Sequence, residues 1–214
     1  MNPKTQSLRL SGAAGQIEAL IDEPVLAEGA SLRGVAIIAH PHPLFGGTMD
    51  NKVVQTLARA FVLCGWRAVR FNFRGVGASE GVHDEGRGEA QDLLAVVQQC
   101  APEGALALAG FSFGSFVLSH ALPQLWPARN IEKLVMVGTA VSRFDVTVLP
   151  PETHERTLVI HGELDDTVPL ADVMNWARPQ VLPVTVVPGG SHFFHGQLPL
   201  LRSLVVRHLS TPVQ

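Results

Sequence analysis

Six short apolar runs, separated by segments of helical periodicity, constrain the fold of this chain more than any other feature. Continuous apolar runs rich in Val and Ala are typical of strands that are buried on both faces of a sheet. Strands that alternate with helices predict a mostly parallel central sheet flanked by helices, which is the α/β class. The runs occupy 34–39, 67–71, 105–109, 134–137, 158–160 and 184–187, and the helical segments occupy 51–63, 88–100, 112–122, 170–177 and 198–209.

The first part of the chain has a different pattern. Residues 7–10 and 16–22 form short, partly alternating runs on either side of the sequence SGAAG. Alternation of this kind around a Gly-rich turn predicts an antiparallel pair of strands. We therefore expect antiparallel N-terminal strands beside the parallel sheet.

The composition bounds the remaining possibilities. Of the 214 residues, 46% are hydrophobic and 16% are charged, which excludes a disordered chain and predicts one domain over 1–214. A formal net charge of −3 argues against nucleic acid or a membrane surface as partners. The two cysteines, Cys64 and Cys100, are too few for a disulfide scaffold. Because no secretion signal or long apolar span is visible, we expect a cytoplasmic protein that is a monomer or a homodimer.

The most informative junction follows the run at 105–109, where the sequence reads Gly110-Phe111-Ser112-Phe113-Gly114 before a helical segment. This G-x-S-x-G in a strand–turn–helix context predicts a nucleophile elbow, in which Ser112 projects its hydroxyl over the carboxyl end of the sheet. The competing interpretation is a Gly-rich turn in which Ser112 only caps the helix.

A serine hydroxyl needs a general base, and the base needs an acid that orients it. The loop at 161–169 contains the carboxylates Glu163, Asp165 and Asp166, and the loop after 184–187 contains His192 and His195. Asp165 and His192 are the preferred candidates, and Ser112, Asp165, His192 is the chain order of an α/β-hydrolase triad. Glu163 or Asp166 as the acid and His195 as the base stay open at this stage.

Acyl transfer also needs two hydrogen-bond donors for the oxyanion. The amide of Phe113, directly after Ser112, is the expected first donor. The second is expected in the loop His40-Pro41-His42-Pro43-Leu44, where proline has no N–H, so that His42 or Leu44 can donate. We prefer His42. The other interpretation of this loop is a rigid turn whose imidazoles lie in solvent.

Cofactor and metal sites are not indicated. The Gly-rich stretch around Arg74 lacks the spacing of a nucleotide-binding loop, and Arg74 is more typical of a structural donor that fixes the loop. His192 and His195 have no carboxylate or Cys partner at metal-ligand spacing. His208, near the end of the last helical segment, is expected to complement the negative end of the helix dipole.

Taken together, these motifs resemble the α/β-hydrolase superfamily from residue 34 onward. The sequence HGELDDTVP resembles the acid loop of that family and assigns the acid to Asp165, whereas GGSHFF resembles its histidine loop and assigns the base to His192. The stretch RGVGAS, which begins at Arg74, is similar to another family motif. The opening HPHPLFGGTMDNK resembles a subgroup of small bacterial hydrolases without a lid, although His40-Pro41 replaces the commoner His-Gly.

The resemblance implies a serine hydrolase that acts on small esters or thioesters, with no cofactor. Other chemistry of this fold, such as peptidase or C–C hydrolase activity, and a non-catalytic binding module are the alternatives. Only about 17 residues separate Thr139 from the next predicted strand, which is too few for a lid. An apolar acyl pocket is expected from Leu44, Phe45, Phe111, Phe113, Phe144, Phe193 and Phe194.

Overall fold

A twisted central sheet organises residues 5–211, which are the residues described by the computed structural model. Within them the sheet has eight strands in the order β1-β2-β4-β3-β5-β6-β7-β8. The strands are β1 Thr5–Gly12, β2 Gly15–Asp22, β3 Gly34–Ala39, β4 Trp66–Phe71, β5 Leu106–Phe111, β6 Ile131–Val137, β7 Thr157–Gly162 and β8 Val184–Val187. β2 is antiparallel to both β1 and β4, and the other pairs are parallel. The predicted α/β-hydrolase fold with antiparallel N-terminal strands is confirmed.

Helices cover both faces of this sheet. They are α1 Lys52–Leu63, α2 Arg87–Cys100, α3 Phe113–Leu125, α4 Leu170–Ala177 and α5 Leu198–Ser210. Ile37 packs with side chains of α2, α3 and α4 in one core layer, whereas its neighbour Ile38 packs with α1 and α5 in the other. Because successive side chains of a strand point to opposite faces, β3 is apolar at every position from Val35 to Ala39.

One strand of the parallel sheet begins three residues earlier than its apolar run predicts. β6 starts at Ile131 rather than at 134. In the sequence, the apolar run starts later because the polar pair Glu132 and Lys133 interrupts the hydrophobic pattern. The second residue of that pair, Lys133, is almost fully buried, and its ammonium group donates a hydrogen bond of 2.7 Å to the carbonyl of Thr211. A buried lysine with a backbone partner therefore concealed the start of the strand.

The connection between β6 and β7 matches the short loop that its length predicts. It contains a turn over 141–144 and a 3₁₀ turn at Pro151–Arg156, and no lid element is inserted in this part of the chain. The carboxyl end of the sheet is therefore left open at this connection. Within the described residues, no helix is both long and apolar enough to cross a membrane.

The loop after β4 is fixed as expected by Arg74. Its guanidinium donates two hydrogen bonds to the carboxylate of Asp92 on α2, at 3.1 and 2.8 Å, and the Arg74 amide donates a third at 3.0 Å. Asp92 is buried, so this ion pair ties the loop to the core. Sequence reasoning identified the arginine but not its partner.

The expectation for His208 is wrong. Burial lowers the pKa of His208 to about 4, so the imidazole is neutral at pH 7. Its Nε2 lies 3.2 Å from the carbonyl oxygen of Arg156, a contact to a neighbouring segment rather than to the end of its own helix. A neutral ring brings no positive charge to the end of α5, so it does not complement the helix dipole.

Candidate active site

Ser112 lies on the sharp turn between β5 and α3. Its backbone has φ 55° and ψ −115°, a strained conformation for a residue with a side chain. The turn is held by the Ser112 amide, which donates a hydrogen bond of 2.8 Å to Val137 at the end of β6. The side chain makes no capping bond to α3, which removes the helix-cap interpretation of this serine.

The two glycines around Ser112 are required by space. A Cβ at Gly110 would lie 2.5 Å from the backbone of Gly114, and a Cβ at Gly114 would lie 2.4 Å from the carbonyl oxygen of Ala39 on β3. Both distances are too short for real carbon contacts. β5 can therefore turn into α3 this tightly only where these two side chains are absent.

His192 reaches Ser112 from the loop after β8. Its Nε2 lies 3.1 Å from the Ser112 hydroxyl, and its ring packs beside Phe111 and Phe193 with centroids about 5 Å apart. His192 is 3% exposed. The aromatic neighbours thus fix the plane of the imidazole and exclude most of the surrounding water.

Asp165 holds the other edge of the imidazole. Its Oδ2 lies 2.7 Å from Nδ1 of His192, and its Oδ1 accepts the amides of Thr167 and Val168 at 3.0 and 2.8 Å. Burial alone would raise the pKa of this carboxyl, but hydrogen bonds from His192 and Val168 and the nearby histidines lower it. The ionised carboxylate selects the tautomer with hydrogen on Nδ1, which leaves Nε2 free to accept the Ser112 proton.

A second histidine also lies against the acid. Nε2 of His161, at the end of β7, is 2.8 Å from the carbonyl oxygen of Val168 and 3.4 Å from Oδ2 of Asp165. Burial lowers the pKa of His161. The neutral ring therefore helps to hold the acid loop in place without adding a full charge beside the carboxylate.

The alternative candidates lie elsewhere. Glu163 accepts the amide of Gly189 through Oε2 and so joins two loops at the surface. Asp166 is exposed and lies 3.4 Å from the hydroxyl of the following Thr167. His195 is exposed and contacts the Phe193 ring. The structure brings together Ser112, Asp165 and His192, as the sequence predicts, and none of the three alternatives takes part.

The backbone amides of Phe113 and His42 have no acceptor in the described part of the chain. Phe113 is the first residue of α3, where an amide has no intrahelical partner. In the loop after β3, Leu44 donates to the His42 ring, Phe45 and Gly47 donate to the His42 carbonyl, and Gly46 donates to Pro43. Among residues 41–47 of this loop, the amide of His42 is therefore the one N–H without an acceptor.

His42 and Phe113 also line the same cleft as Ser112, whereas Leu44 is 70% exposed and lies outside it. Of the two residues that the sequence left open as the second donor, His42 lines the cleft and Leu44 does not. Two free amides beside a serine hydroxyl are suited to bind an oxygen that becomes negatively charged.

His40 is a structural residue that sequence reasoning did not find. It is fully buried, which contradicts the solvent-exposed interpretation of this imidazole. Its Nε2 accepts the amide of Phe73 at 3.0 Å, and its Nδ1 donates to the carbonyl of Pro41 at 2.6 Å. Burial lowers its pKa to about 4, so His40 is neutral and joins the loops after β3 and β4.

The cleft above Ser112 has a volume of about 340 Å³. The aromatic side chains among its lining residues are Phe45, Phe113, Phe144 and Phe193, all of which were expected. Phe111 and Phe194 are fully buried and do not line it, because they pack into the core behind His192. The cleft is mainly apolar, with an aromatic wall on the side of α3.

Several polar residues of the cleft were missed by sequence reasoning. Arg143, Asn51 and Thr167 line it together with His42, and Glu89 lies behind His42 through His83. Glu89 could have been found from the sequence, because a glutamate at the third position of a helix often accepts hydrogen bonds from the free amides at the start of that helix. Arg143 lies in an irregular turn and had no motif to mark it.

Among the described residues, no group of three His, Cys, Asp or Glu side chains is arranged to hold a metal ion. The reactive groups that the structure places together are the serine hydroxyl, the imidazole and the carboxylate.

Comparisons with known proteins agree with this fold. XC6422 of Xanthomonas campestris, described as a member of the α/β serine hydrolases without a lid, is 36% identical and superposes with a TM-score of 0.85 over 99% of both chains. An α/β serine hydrolase homologue from Coxiella burnetii is 37% identical, with a TM-score of 0.82 over 98% of this chain and 99% of that one.

More distant comparisons are less specific. The uncharacterized protein RP471 of Rickettsia prowazekii is 30% identical over 171 residues, which are 75% of this chain and 71% of that protein. Est1E from Butyrivibrio proteoclasticus, solved with ferulic acid bound, is 17% identical, so its TM-score of 0.76 over 94% of this chain and 96% of that one shows the fold alone. No protein-family model matches the chain.

Proposed function

The chain belongs to the α/β serine hydrolases without a lid, and we propose that it cleaves carboxylic esters or thioesters of small acyl groups through an acyl-enzyme on Ser112. The observation that carries the proposal is the hydrogen-bonded series from Ser112 through His192 to Asp165 below an open cleft. A serine hydroxyl becomes an effective nucleophile when an oriented imidazole can take its proton.

The proposed reaction has two halves. The Ser112 oxygen attacks the carbonyl carbon while Nε2 of His192 takes the hydroxyl proton. The amides of Phe113 and His42 stabilise the negative oxygen of the tetrahedral intermediate. The intermediate then breaks its bond to the alcohol or thiol, which leaves with the proton from His192.

In the second half, water attacks the acyl-enzyme and gives one proton to His192. The carboxylic acid leaves, and the proton returns to the Ser112 oxygen. Asp165 stays ionised throughout and stabilises the imidazolium that forms in each half. No redox step or cofactor is needed for this sequence.

The cleft favours small acyl groups. Its volume of about 340 Å³ lies at the lower end of the range of roughly 300–1,000 Å³ for ligand pockets. The rings of Phe113 and Phe144 form one wall, with centroids 5.2 Å apart. An apolar chain of a few carbons buries its surface against these rings, whereas the short connection between β6 and β7 leaves a larger leaving group in solvent.

The test is the hydrolysis of 4-nitrophenyl esters and matched thioesters from two to eight acyl carbons by the unaltered protein, Ser112→Ala and Ser203→Ala. Ser203 is exposed on α5 and serves as the matched control. We expect Ser112→Ala to lose nearly all turnover and Ser203→Ala to keep it. A folded Ser112→Ala protein that retains most turnover overturns the proposed nucleophile.

A second measurement separates an enzyme from a binding module of the same fold. A fluorophosphonate probe reacts with an activated serine, and mass spectrometry of the digested protein locates the label. Labelling at Ser112 supports the proposal. A folded protein that is neither labelled nor active on the ester and thioester series contradicts it.

A further inference from the structure

Arg143 is a cationic side chain in an otherwise uncharged cleft. Among the described residues that line the cleft, Arg143 is the one Lys, Arg, Asp or Glu. The neighbouring walls are the aromatic rings of Phe45, Phe144 and Phe193. In ligand sites with mainly apolar walls, a single charged side chain commonly fixes the orientation of the ligand and provides specificity.

Within the part of the chain that the structure describes, the Arg143 guanidinium has no carboxylate counter-ion. No carboxylate among residues 5–211 lies within 4.0 Å of it, and it donates no hydrogen bond within that part of the chain. Asp145, two residues on, instead lines a neighbouring depression together with Asp172. The buried carboxylate of Glu89 accepts the amides of Asp84 and Gly86, at 2.9 and 2.7 Å, and lies beside His83.

The turn that carries Arg143 is well anchored. The amides of Arg143 and Phe144 both donate to the carbonyl of Ala140, at 3.2 and 3.1 Å. Phe144 stacks on Phe116 with ring centroids 4.8 Å apart. Nε2 of His120, on α3, lies 2.8 Å from the carbonyl oxygen of Asp145. The backbone of this turn is thus fixed on both sides of Arg143, which lines the cleft.

The imidazole of His42, which also lines the cleft, does not share this role. Burial lowers the pKa of His42, and His83 and Arg143 lower it further, so the His42 ring is neutral at pH 7. The fixed positive charge of the cleft therefore belongs to Arg143. Its planar fork of donors matches the two oxygens of a carboxylate.

We infer that Arg143 binds a carboxylate of the substrate, so that the preferred substrates are esters or thioesters carrying a carboxylate a few carbons from the scissile carbonyl. This inference rests on the proposed function and adds the substrate class to it. The apolar walls contact the carbons between the scissile carbonyl and the carboxylate. The Arg143 guanidinium pairs with the carboxylate, whereas a neutral ester leaves the guanidinium without a counter-ion.

The test compares three 4-nitrophenyl esters built on a six-carbon acyl chain: the hexanoate, the adipate monoester and the neutral methyl ester of that monoester. A second arm uses hexanoate esters of 4-carboxyphenol and of its methyl ester, which places the carboxylate in the leaving group instead. In each arm, kcat/KM for the acidic ester is divided by kcat/KM for its neutral methyl ester. This ratio is measured in the unaltered protein, Arg143→Gln, Arg143→Glu and Arg207→Gln.

We expect the acidic ester to be preferred in one arm, which identifies the half of the substrate that carries the carboxylate. Arg143→Gln should lower that ratio roughly tenfold, mainly through KM, and Arg143→Glu should lower it further. Arg207 is exposed on α5 and lies outside the cleft, so Arg207→Gln should show the same ratio as the unaltered protein. Added salt should reduce the preference, because the guanidinium is exposed.

The two proposals fail in different ways. Ratios near one in both arms, with active hydrolysis of the neutral esters, overturn the role of Arg143 and leave the proposed function intact. A preference that persists in Arg143→Gln assigns the carboxylate to another residue and also overturns the inference. Absence of hydrolysis of every ester, with no fluorophosphonate label, overturns the proposed function itself.

Discussion

Asp165 fixes His192 through a hydrogen bond of 2.7 Å between Oδ2 and Nδ1, while the other carboxylate oxygen is held by two backbone amides. Because both oxygens are engaged, the carboxylate cannot rotate away from the imidazole. The position of the ring relative to Ser112 is therefore set by the backbone of the acid loop as well as by the ring's aromatic neighbours.

We expect Asp165→Asn to lower kcat by about 10³- to 10⁴-fold on a short ester, with the protein still folded. An amide side chain that donates to Nδ1 favours the tautomer with hydrogen on Nε2, which cannot accept the Ser112 proton. Steady-state kinetics on 4-nitrophenyl butyrate measures the change. Asp166→Asn, at the exposed neighbouring position, is the control and should stay within about twofold. Equal losses in the two variants would show that Asp165 is not the orienting acid.

The sequence was sufficient for the elements that depend on apolar continuity and on local turn chemistry. The strand at Gly34–Ala39 is apolar because both faces of β3 are covered, and the glycines at 110 and 114 mark the tight turn at Ser112. The order of Ser112, Asp165 and His192 followed from motifs at the ends of three strands. Such features are short-range in the sequence, so a linear pattern carries them.

The features that the sequence could not supply depend on contacts between distant segments. Lys133 looked like a break in a strand because its partner, the carbonyl of Thr211, comes 78 residues later. His40 looked like an exposed loop residue because its partner is the amide of Phe73. No motif marks Arg143 in the sequence, and the structure shows that it lines the cleft. Sequence patterns therefore do not predict the role of a polar side chain whose hydrogen-bond partner is a backbone group far away in the sequence.

The role proposed for the His42 amide can be tested without changing the charge of the site. His42 has φ −53° and ψ 123°, angles that proline also adopts, so His42→Pro removes the N–H with little backbone strain. We expect kcat to fall roughly 10²- to 10³-fold, as for the loss of one oxyanion donor. His42→Ala removes the same ring but keeps the amide, and it should lose far less activity.

The comparison of the two variants at position 42 gives the answer, because both lose the ring contacts with Phe113 and Phe144. If kcat falls equally in His42→Ala and His42→Pro, the loss comes from the missing ring and not from the missing amide N–H. Circular dichroism and thermal unfolding of both proteins establish that the loop change has not unfolded the domain.

The buried pair of Arg74 and Asp92 should matter for stability more than any exposed ion pair. Asp92→Ala leaves a nearly buried guanidinium unpaired, which we expect to cost about 3–5 kcal/mol in the free energy of unfolding. Urea unfolding at pH 7 measures the cost. Asp84→Ala breaks the exposed pair with Arg87 and should cost at most about 0.5 kcal/mol. Similar costs for the two variants would contradict the structural importance of the buried pair.

The burial of His40 predicts a specific loss of stability in acid. Its pKa is about 4 in the folded protein and about 6.5 in the unfolded chain, so the unfolded state binds the proton more readily between these values. The contribution of His40 to stability is therefore complete above pH 6.5 and is lost as the pH falls to 4, by about 3 kcal/mol in all. Protonation removes the acceptor that Nε2 offers to the Phe73 amide.

His40→Gln removes this titration, because a glutamine side chain stays neutral across the range. We expect the variant to be less stable at pH 7, where the two hydrogen bonds of the imidazole are lost or weakened, yet to lose less stability between pH 6.5 and 4. Urea unfolding at half-unit pH steps measures both slopes. His195→Gln, at an exposed position, should reproduce the slope of the unaltered protein. A His40→Gln protein with an unchanged slope would show that protonation of His40 does not drive acid unfolding.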